Sequence, residues 1–304
     1  MANAKFISNR IKSVRDTRKI TNAMYLISST KMRKSKKSLE DTSPYFNALS
    51  KEIRRIIKKV NNVDSPYLFP EGKDDSDFEE GPFGYLILTA DKGLAGSFNQ
   101  NIIKEAEKQI AAHKNNKIFV AGEFGRHYFQ SHGKNIENEF VFAADEPTLD
   151  EARTIISFIL DYFDKGDITK LFLIYTEYKN GLESKVITKR LLPFHRNLFI
   201  SDDNEDEESM KKFEFVPSAS DVLNHIIPDY CMGYIYSALV DSFCAEQNAR
   251  MMAMDSANQN ADKLLDKLTL EYNHIRQSTI TREITEISSG AKGLALSTSK
   301  GQVK

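Results

Sequence analysis

The chain of 304 residues contains little cysteine and no long apolar run. Its two cysteines, Cys231 and Cys244, fall within one predicted helix, which separates them by roughly 20 Å at 1.5 Å per residue. A disulfide needs Cα atoms within about 7 Å, so we expect free thiols and a reducing compartment. Because no stretch of about 18 apolar residues occurs, we expect no helix that crosses a membrane.

Glycine and proline are absent between Gly233 and Gly290. Both residues weaken or break helices, so their absence predicts one long helix from about Ser220 to Ser288, with Pro228 and Gly233 disturbing only its first turns. Such a helix is ~100 Å long, whereas a domain of this size has a radius of gyration of only ~15 to 20 Å. We expect the glycines of "SSGAKG" to end the helix.

Acidic residues are nearly missing from the first forty positions, where Asp16 and Glu40 stand among many lysines and arginines. The balancing acids lie in two runs, 64–80 and 202–208, and the net charge is only -1. A chain close to neutrality is not expected to bind nucleic acid through bulk charge. The basic start also fits a mitochondrial transit peptide, but the helical periodicity that begins almost at once favours a structural helix.

The first segment has the periodicity of a helix from about Ala4 to Val60. Apolar and small residues follow spacings of three and four, with Arg18 interrupting them: Ile7, Ile11, Val14, Thr21, Met24 and Ser28. This narrow row of contacts, here called the seam, is typical of a coiled coil. Pro44 should kink the helix or start a second one that Ser43 caps.

The last helix carries a matching seam, and the two helices are predicted to pair with each other. Its members are Met254, Ala257, Ala261, Leu264, Leu268, Tyr272 and Ile275. One helix enters the central region and the other leaves it, so the pair should be antiparallel. Beyond this seam only Ile280, Ile284 and Ile287 are apolar, and the surface there is otherwise polar.

The central region alternates strands and helices between Gly84 and Asn180. Predicted strands are "GYLILTA", "KIFVAG", "NEFVFAA" and "KLFLIYTEYKN", and "ESKVITKRLLP" adds an edge strand. Such alternation is typical of a mostly parallel sheet. Thr148 is the expected cap of the helix before "KLFLIYTEYKN", and residues 61–82 are interpreted as a surface excursion.

These elements predict an α/β fold. It combines a long antiparallel coiled coil of the N- and C-terminal helices with a Rossmann-like globular domain that has a mostly parallel sheet. The expected division is residues 1–62 for the N-terminal coiled-coil helix, kinked near Pro44, and 63–216 for the globular domain. Residues 217–304 form the C-terminal helix and a short tail.

Three stretches resemble the gamma subunit of F-type ATP synthases. They are the opening "IKSVRDTRKITNAMYLISSTKMRKS", the loop "LTADKGLAGSFNQNI" and the closing "ARMMAMDSANQNADKLLDKLTLEYNHIRQSTITREITEI". "SPYFNAL" is similar to the Pro-Tyr step that this family has inside its first helix, at Pro44. The resemblance extends from about Ala4 to Leu294, and its two terminal motifs are long and specific.

The resemblance implies a central rotor shaft that couples ion-driven rotation of a c-ring to conformational changes at catalytic beta subunits. Implied partners are the ring of three alpha and three beta subunits, the epsilon subunit and the c-ring. No catalytic residue, cofactor or metal is implied for this chain, and membrane contact would come only through the complex. The implied location is the cytoplasmic face of a bacterial plasma membrane, rather than an organelle.

The resemblance also implies subunit-interface residues. Arg276 and Gln277 match a pair that contacts a loop of beta in the family, and Thr281, Glu283 and Glu286 match neighbouring contact positions. Met24 matches the methionine beside this set on the first helix. Lys31, Arg33 and Lys34 belong to a basic segment, residues 31–37, that would face acidic loops of beta. A solvated helix face explains the same composition.

Two other functions fit parts of the sequence. "ADKGLAGSFN" lies between a strand and a helix, as phosphate-binding loops do, but it has neither the GxGxxG nor the GxxxxGK[ST] spacing. The histidines show no spacing typical of a zinc site. A coiled-coil scaffold or tether without a rotary role is the alternative function. A prong-shaped chaperone of this kind needs apolar helix ends to hold its clients, whereas the end of the last helix is mostly polar here.

Overall fold

The computed structural model describes residues 2–60, 65–69, 81–113, 115–181, 183–196, 199 and 215–301. Contacts divide the chain into two compact units. The first, here called the coil unit, comprises Met1–Ile27 and Met252–Lys304. The second, the sheet unit, comprises Ser28–Met251. Two long helices contribute to both units.

The helices and strands follow the predicted order. They are α1 (Ala2–Lys59), β1 (Phe83–Leu88), α2 (Phe98–Ala112), β2 (Asn116–Ala121), α3 (Glu123–Ser131), α4 (Leu149–Asp164), β3 (Lys170–Tyr178), β4 (Ser184–Leu192) and α5 (Ala219–Gly301).

A four-stranded sheet organises the sheet unit, in the order β2-β1-β3-β4. Strand β1 pairs in parallel with β2 and β3, and every one of its residues is buried, as its continuous apolar sequence predicts. Strand β4 is antiparallel to β3 at the edge. The mostly parallel sheet with an added edge strand is therefore confirmed.

The strand predicted for "NEFVFAA" is wrong. Ile136 and Phe142 make only isolated bridges, to Ile118 and Ala121. Between them Phe140 turns its ring into the core, and the Arg126 side chain donates to the Phe140 carbonyl. A carbonyl that bonds to a side chain is not available for a strand ladder, so the segment follows β2 without pairing continuously.

Helices cover both faces of the sheet. On one face, the end of α1 and the start of α5 supply buried residues such as Ile53, Ile56, Ile227 and Ile235 to the larger core. On the other face, α2 and α3 form the smaller core, which includes Ile102 and Phe129. Each fully buried large apolar side chain contributes about 1.5–3 kcal/mol. Cys231 and Cys244 are buried in α5 with free thiols, as expected.

Helix α1 continues through Pro44 without interruption, so the second helix proposed to start there is wrong. Packing against α5 outweighs the local cost of the proline. Within the sheet unit, Ser38 and Tyr236 share a hydrogen bond of 2.8 Å between their hydroxyl oxygens, and the Cys244 thiol donates to the Met32 carbonyl at 3.9 Å. Higher numbers on α1 face lower numbers on α5, which makes the pair antiparallel.

The coil unit shows the same antiparallel pairing. The Thr21 hydroxyl donates to Asn258 Oδ1, and Arg18 Nε lies 2.9 Å from Asp262 Oδ1. Farther toward the N-terminus, Ile7 and Ile11 are buried with Leu268 in one cluster, against which Val14, Leu264, Leu265, Tyr272 and Ile275 pack. The predicted seam is confirmed at Ile7, Ile11, Val14, Leu264, Leu268, Tyr272 and Ile275, and Leu265 joins it.

Helix α5 extends to Gly301, so the end predicted at "SSGAKG" is wrong. A glycine destabilises a helix by only about 1 kcal/mol relative to alanine. The combined cost of the two isolated glycines in "SSGAKG" is therefore too small to end the helix. The helix has no interruption at Pro228 or Gly233 either.

Part of the predicted surface excursion is buried. Tyr67, Leu68 and Phe69 are no more than 8% exposed, and Phe69 N donates to the Phe194 carbonyl at 2.9 Å. Three consecutive large apolar side chains gain more by packing on the sheet unit than by remaining in solvent. Residues 61–64 and 70–80, like the acidic run 202–208, lie outside the described residues.

Gly233 and Gly290, two of the glycines in α5, predict opposite effects of substitution. A Cβ added at Gly233 would lie 2.1 Å from Cδ1 of Phe46, whereas at Gly290 it would meet nothing within 4 Å. We expect Gly233→Ala to destabilise the chain by about 1–2 kcal/mol through overpacking, and Gly290→Ala to stabilise α5 by about 0.5–1 kcal/mol. Thermal unfolding followed by circular dichroism measures both, and equal shifts of the two midpoints would contradict this packing.

Candidate interaction surfaces

The C-terminal part of α5 is the first candidate surface. Past Thr279, every side chain that the structure describes on this helix, up to Ala291, is exposed. The set includes the predicted contact residues Thr281, Glu283 and Glu286, and Arg276 and Gln277 are exposed just before it. Ile280, Ile284 and Ile287 form an exposed stripe at 45%, 62% and 73%.

This part of α5 offers mainly hydrogen bonds and charge. Arg282 Nε lies 3.7 Å from Glu286 Oε1 with both side chains about two-thirds exposed, so the pair contributes little to stability. The arginine, glutamine, threonine and glutamate side chains supply both donors and acceptors. They suit a polar contact with another protein rather than a core within this chain.

Met24 does not belong to this surface. It is half-buried on α1, three residues from Thr21, which contacts Asn258 on α5. Asn258 precedes Arg276 by a length of helix of about 27 Å at 1.5 Å per residue. The expectation that Met24 lies beside the Arg276 set is therefore wrong, because antiparallel pairing places it opposite the early turns of the α5 seam.

The basic segment 31–37 is the second candidate surface, and the structure engages part of it within the chain. Lys31 Nζ lies 2.8 Å from Asp145 Oδ1 and 3.4 Å from Glu146 Oε1. Lys34 Nζ lies 2.9 Å from Glu146 Oε2, while Arg33 is exposed. These two acids were not predicted, because they are distant in sequence from α1 and no periodic pattern marks them.

Residues 143–148, here called the acidic loop, are held in place by several bonds. The amide of Ala144 donates to both carboxylate oxygens of Asp91 at 3.0 Å, and Asp91 also accepts from the amide of Glu123 at the start of α3. At the other end, the Thr148 hydroxyl accepts from the Glu151 amide at 3.2 Å, which confirms Thr148 as the cap of α4.

Charge pairing shifts the ionisation of this group. Hydrogen bonding to Lys31 lowers the pKa of Asp145, and hydrogen bonding to Asp145 raises the pKa of Lys31. The Lys34 side chain likewise lowers the pKa of Glu146. Asp145, Glu146 and Lys31 are therefore charged near neutral pH.

The glycine-rich turn after β1 is occupied by bonds from the chain itself. The amide of Ala90 donates to Asn99 Oδ1 at 2.9 Å, and Arg250 Nη2 donates to the Gly93 carbonyl at 3.0 Å. Arg250 also pairs with Glu246, and both side chains are at most 10% exposed. These bonds tie the turn to α2 and α5, and its sequence lacks the spacing of a phosphate-binding loop.

A second polar cluster surrounds Asp241 on α5. The pKa of Asp241 is raised to about 6, mainly by burial and also by the charge of Glu177 on β3, while Lys36 on α1 opposes both effects. Lys36 Nζ also lies 4.0 Å from the centre of the Tyr178 ring. The basic segment thus has a second contact inside the sheet unit.

Comparison with known proteins agrees with the two long helices and the sheet. A sequence profile of the family described as ATP synthase matches residues 3–294. The ATP synthase gamma chain of Caldanaerobacter subterraneus subsp. tengcongensis is 41% identical over 292 residues, which cover 94% of this chain and 98% of that relative. This chain belongs to the ATP synthase gamma-chain family. A second family member, from Ruminiclostridium cellulolyticum, is 39% identical over 295 residues and covers 96% of this chain and 99% of its own.

A solved structure shares the gamma-chain fold. A chain from the Euglena gracilis mitochondrial ATP synthase, in a structure titled OSCP/F1/c-ring, rotational state 3, superimposes with a TM-score of 0.64. The comparison covers 100% of this chain and 97% of that one at 13% identity. At this identity the likeness shows the fold alone.

The described part of this family member contains neither a candidate membrane-spanning helix nor a candidate metal-binding cluster. None of its described helices combines the length and the apolarity needed to cross a bilayer. Nor do three or more described His, Cys, Asp or Glu side chains gather where they could hold a metal ion.

The Asp241 cluster predicts a pH-dependent gain in stability. An unfolded aspartate has a pKa near 3.9, below the value of about 6 for Asp241 in the folded chain. The stability that the folded chain gains from protonated Asp241 is therefore fully present below about pH 4 and is lost as the pH rises through about 6. Asp241→Asn should therefore stabilise the chain by roughly 1–2 kcal/mol at pH 7.5, after allowance for solvent screening, and by little at pH 4. Denaturant unfolding at the two values measures this, with the exposed Asp266→Asn as control. An equal gain at both values would contradict it.

Proposed function

We propose that this chain is the central-stalk rotor subunit of an F-type ATP synthase. It would couple ion-driven rotation of a c-ring to conformational changes at the catalytic beta subunits. The observation that carries the proposal is the family match across residues 3–294, which includes both members of the antiparallel helix pair. A relative named as a gamma chain over nearly its full length supports it.

The construction of the two helices suits the transmission of torque. Helix α5 has no glycine or proline from position 234 to 289, and α1 supports it through buried contacts in both compact units. In the coil unit, Arg18 with Asp262 and Thr21 with Asn258 add polar contacts that favour one register. Within each unit, a helix pair that is held in one register resists twisting.

Each candidate surface is assigned a partner. The exposed part of α5 that carries Arg276, Gln277, Thr281, Glu283 and Glu286 would contact the ring of alpha and beta subunits. The basic segment would face acidic loops of beta through Lys31, Arg33 and Lys34, and Met24 would contribute at another level of α1. The globular domain, residues 63–216, would contact the epsilon subunit and the c-ring, and residues 1–62 and 217–304 would form the shaft.

The chain would act without catalysis of its own. It would change the affinity of beta for nucleotide by favouring one beta conformation at each orientation, to the extent that its contacts with the two conformations differ. It would sit peripherally on the cytoplasmic face of a bacterial plasma membrane and reach the membrane only through the complex. The bacterial sources of the relatives support that location.

Assembly tests the proposal directly. Mixed with alpha and beta subunits, the chain should form an ATP-hydrolysing complex that contains one copy per three beta subunits. Native mass spectrometry measures the ratio. A chain that pairs only with itself or leaves the beta ring unbound would fit a coiled-coil scaffold instead.

The α5 contacts predict a selective loss of function. Arg276→Ala with Gln277→Ala removes the exposed guanidinium and amide, so coupled ATP synthesis should fall by about tenfold or more, as when charged contacts at an interface are lost. Synthesis by the membrane-bound complex measures this. Lys263→Ala with Asp266→Ala, also exposed on α5, is the control and should change synthesis little. Unchanged synthesis in the first variant would remove these residues from the interface.

A further inference from the structure

The acidic loop binds the same lysines that the proposed function assigns to an acidic partner. Lys31 contacts both Asp145 and Glu146, and Lys34 contacts Glu146. An ammonium group has three donors, so each lysine can bind more than one carboxylate. Each place next to the Lys31 ammonium group, however, holds only one carboxylate at a time. The internal and external acids therefore compete for the same space.

The backbone of the acidic loop is held in an unfavourable conformation at the residue that makes two of these contacts. Glu146 has a φ of 38°, in a region that residues other than glycine rarely adopt. It also precedes Pro147, which disfavours helical backbone angles at the residue before it. Asp91 and the Thr148 cap fix the loop on both sides, so the conformation that presents Glu146 to α1 is imposed by its surroundings.

The contacts are nevertheless open to exchange. The side chains of Asp145 and Glu146 are 51% and 49% exposed, and that of Lys34 is 75% exposed. Exposed ion pairs are weak and are screened by salt. Lys31 is only 29% exposed, so a carboxylate from another protein reaches Lys34 first and can replace the loop there.

We propose that the acidic loop is an internal competitor for the basic segment. In the free chain, Asp145 and Glu146 hold Lys31 and Lys34. In the complex, carboxylates on an acidic surface of a partner subunit displace them, and the loop takes the lysines back when that surface moves away. The proposal rests on the proposed function, because it needs an acidic partner that approaches α1.

Removal of the two loop carboxylates tests the competition. Full-length Asp145→Asn with Glu146→Gln, titrated against alpha and beta subunits at about 50 mM salt, should bind roughly three- to tenfold more tightly than the unchanged chain. The gain should shrink at 0.5 M salt, where screening weakens both sets of ion pairs. Unchanged or weaker binding at low salt would overturn the proposal.

A matched control removes the same charge elsewhere. Asp161 and Glu183 each pair with a lysine four residues away on the surface of the sheet unit. Asp161→Asn with Glu183→Gln should leave the affinity unchanged. An equal gain in this control would mean that overall charge, not the acidic loop, sets the affinity, and would also overturn the proposal.

Charge reversal separates competition from simple stabilisation. A variant with Lys31→Glu, Lys34→Glu, Asp145→Lys and Glu146→Lys keeps the internal pairs but presents glutamates on α1. We expect more than tenfold weaker binding to alpha and beta, whereas pairs that only stabilise the fold would leave binding as in the unchanged chain and overturn the proposal. If this variant does not fold, the loop variant decides alone. Failure of the unchanged chain to bind alpha and beta would instead contradict the proposed function.

Discussion

Antiparallel contact between α1 and α5 is the interaction on which the rest of the structure depends. In the sheet unit it buries Ile53 and Ile56 of α1 with Ile227 and Ile235 of α5 beneath the sheet. In the coil unit it buries Ile7 and Ile11 with Leu268. Neither helix could bury its narrow apolar row alone, because an isolated helix exposes every face to water. In each unit, the pairing therefore buries apolar side chains that neither helix could bury by itself.

Polar groups in this molecule serve specificity more than stability. Arg250 with Glu246, almost fully buried, joins α5 to the glycine-rich turn after β1. Burial raises the pKa of Glu246 while Arg250 opposes that rise, so the pair is held by a balance between desolvation and attraction. The pairs of Lys31 and Lys34 are less buried and carry a smaller desolvation cost, which is why they can exchange partners. Burial therefore separates permanent contacts from exchangeable ones.

Much of the candidate surface could be predicted from sequence, although its arrangement could not. The resemblance led to Arg276, Gln277, Thr281, Glu283 and Glu286, and all five are exposed on α5. Met24 was misplaced beside them, because a motif match carries no distance between helices. Asp145 and Glu146 were missed because the contact that gives them meaning joins positions more than a hundred residues apart.

The amino-acid sequence by itself determined the long helices, their seams, the buried parallel strand β1 and the free thiols. Each depends on periodicity or composition within a short window, where local physics dominates. Tertiary structure alone decided that Phe140 enters the core instead of extending a strand and that Tyr67 to Phe69 are buried, and it decided between the two alternatives at Pro44, where α1 continues. In these cases packing against distant segments outweighed the local preference, and no local pattern records the energy of a contact with a segment far away in the chain.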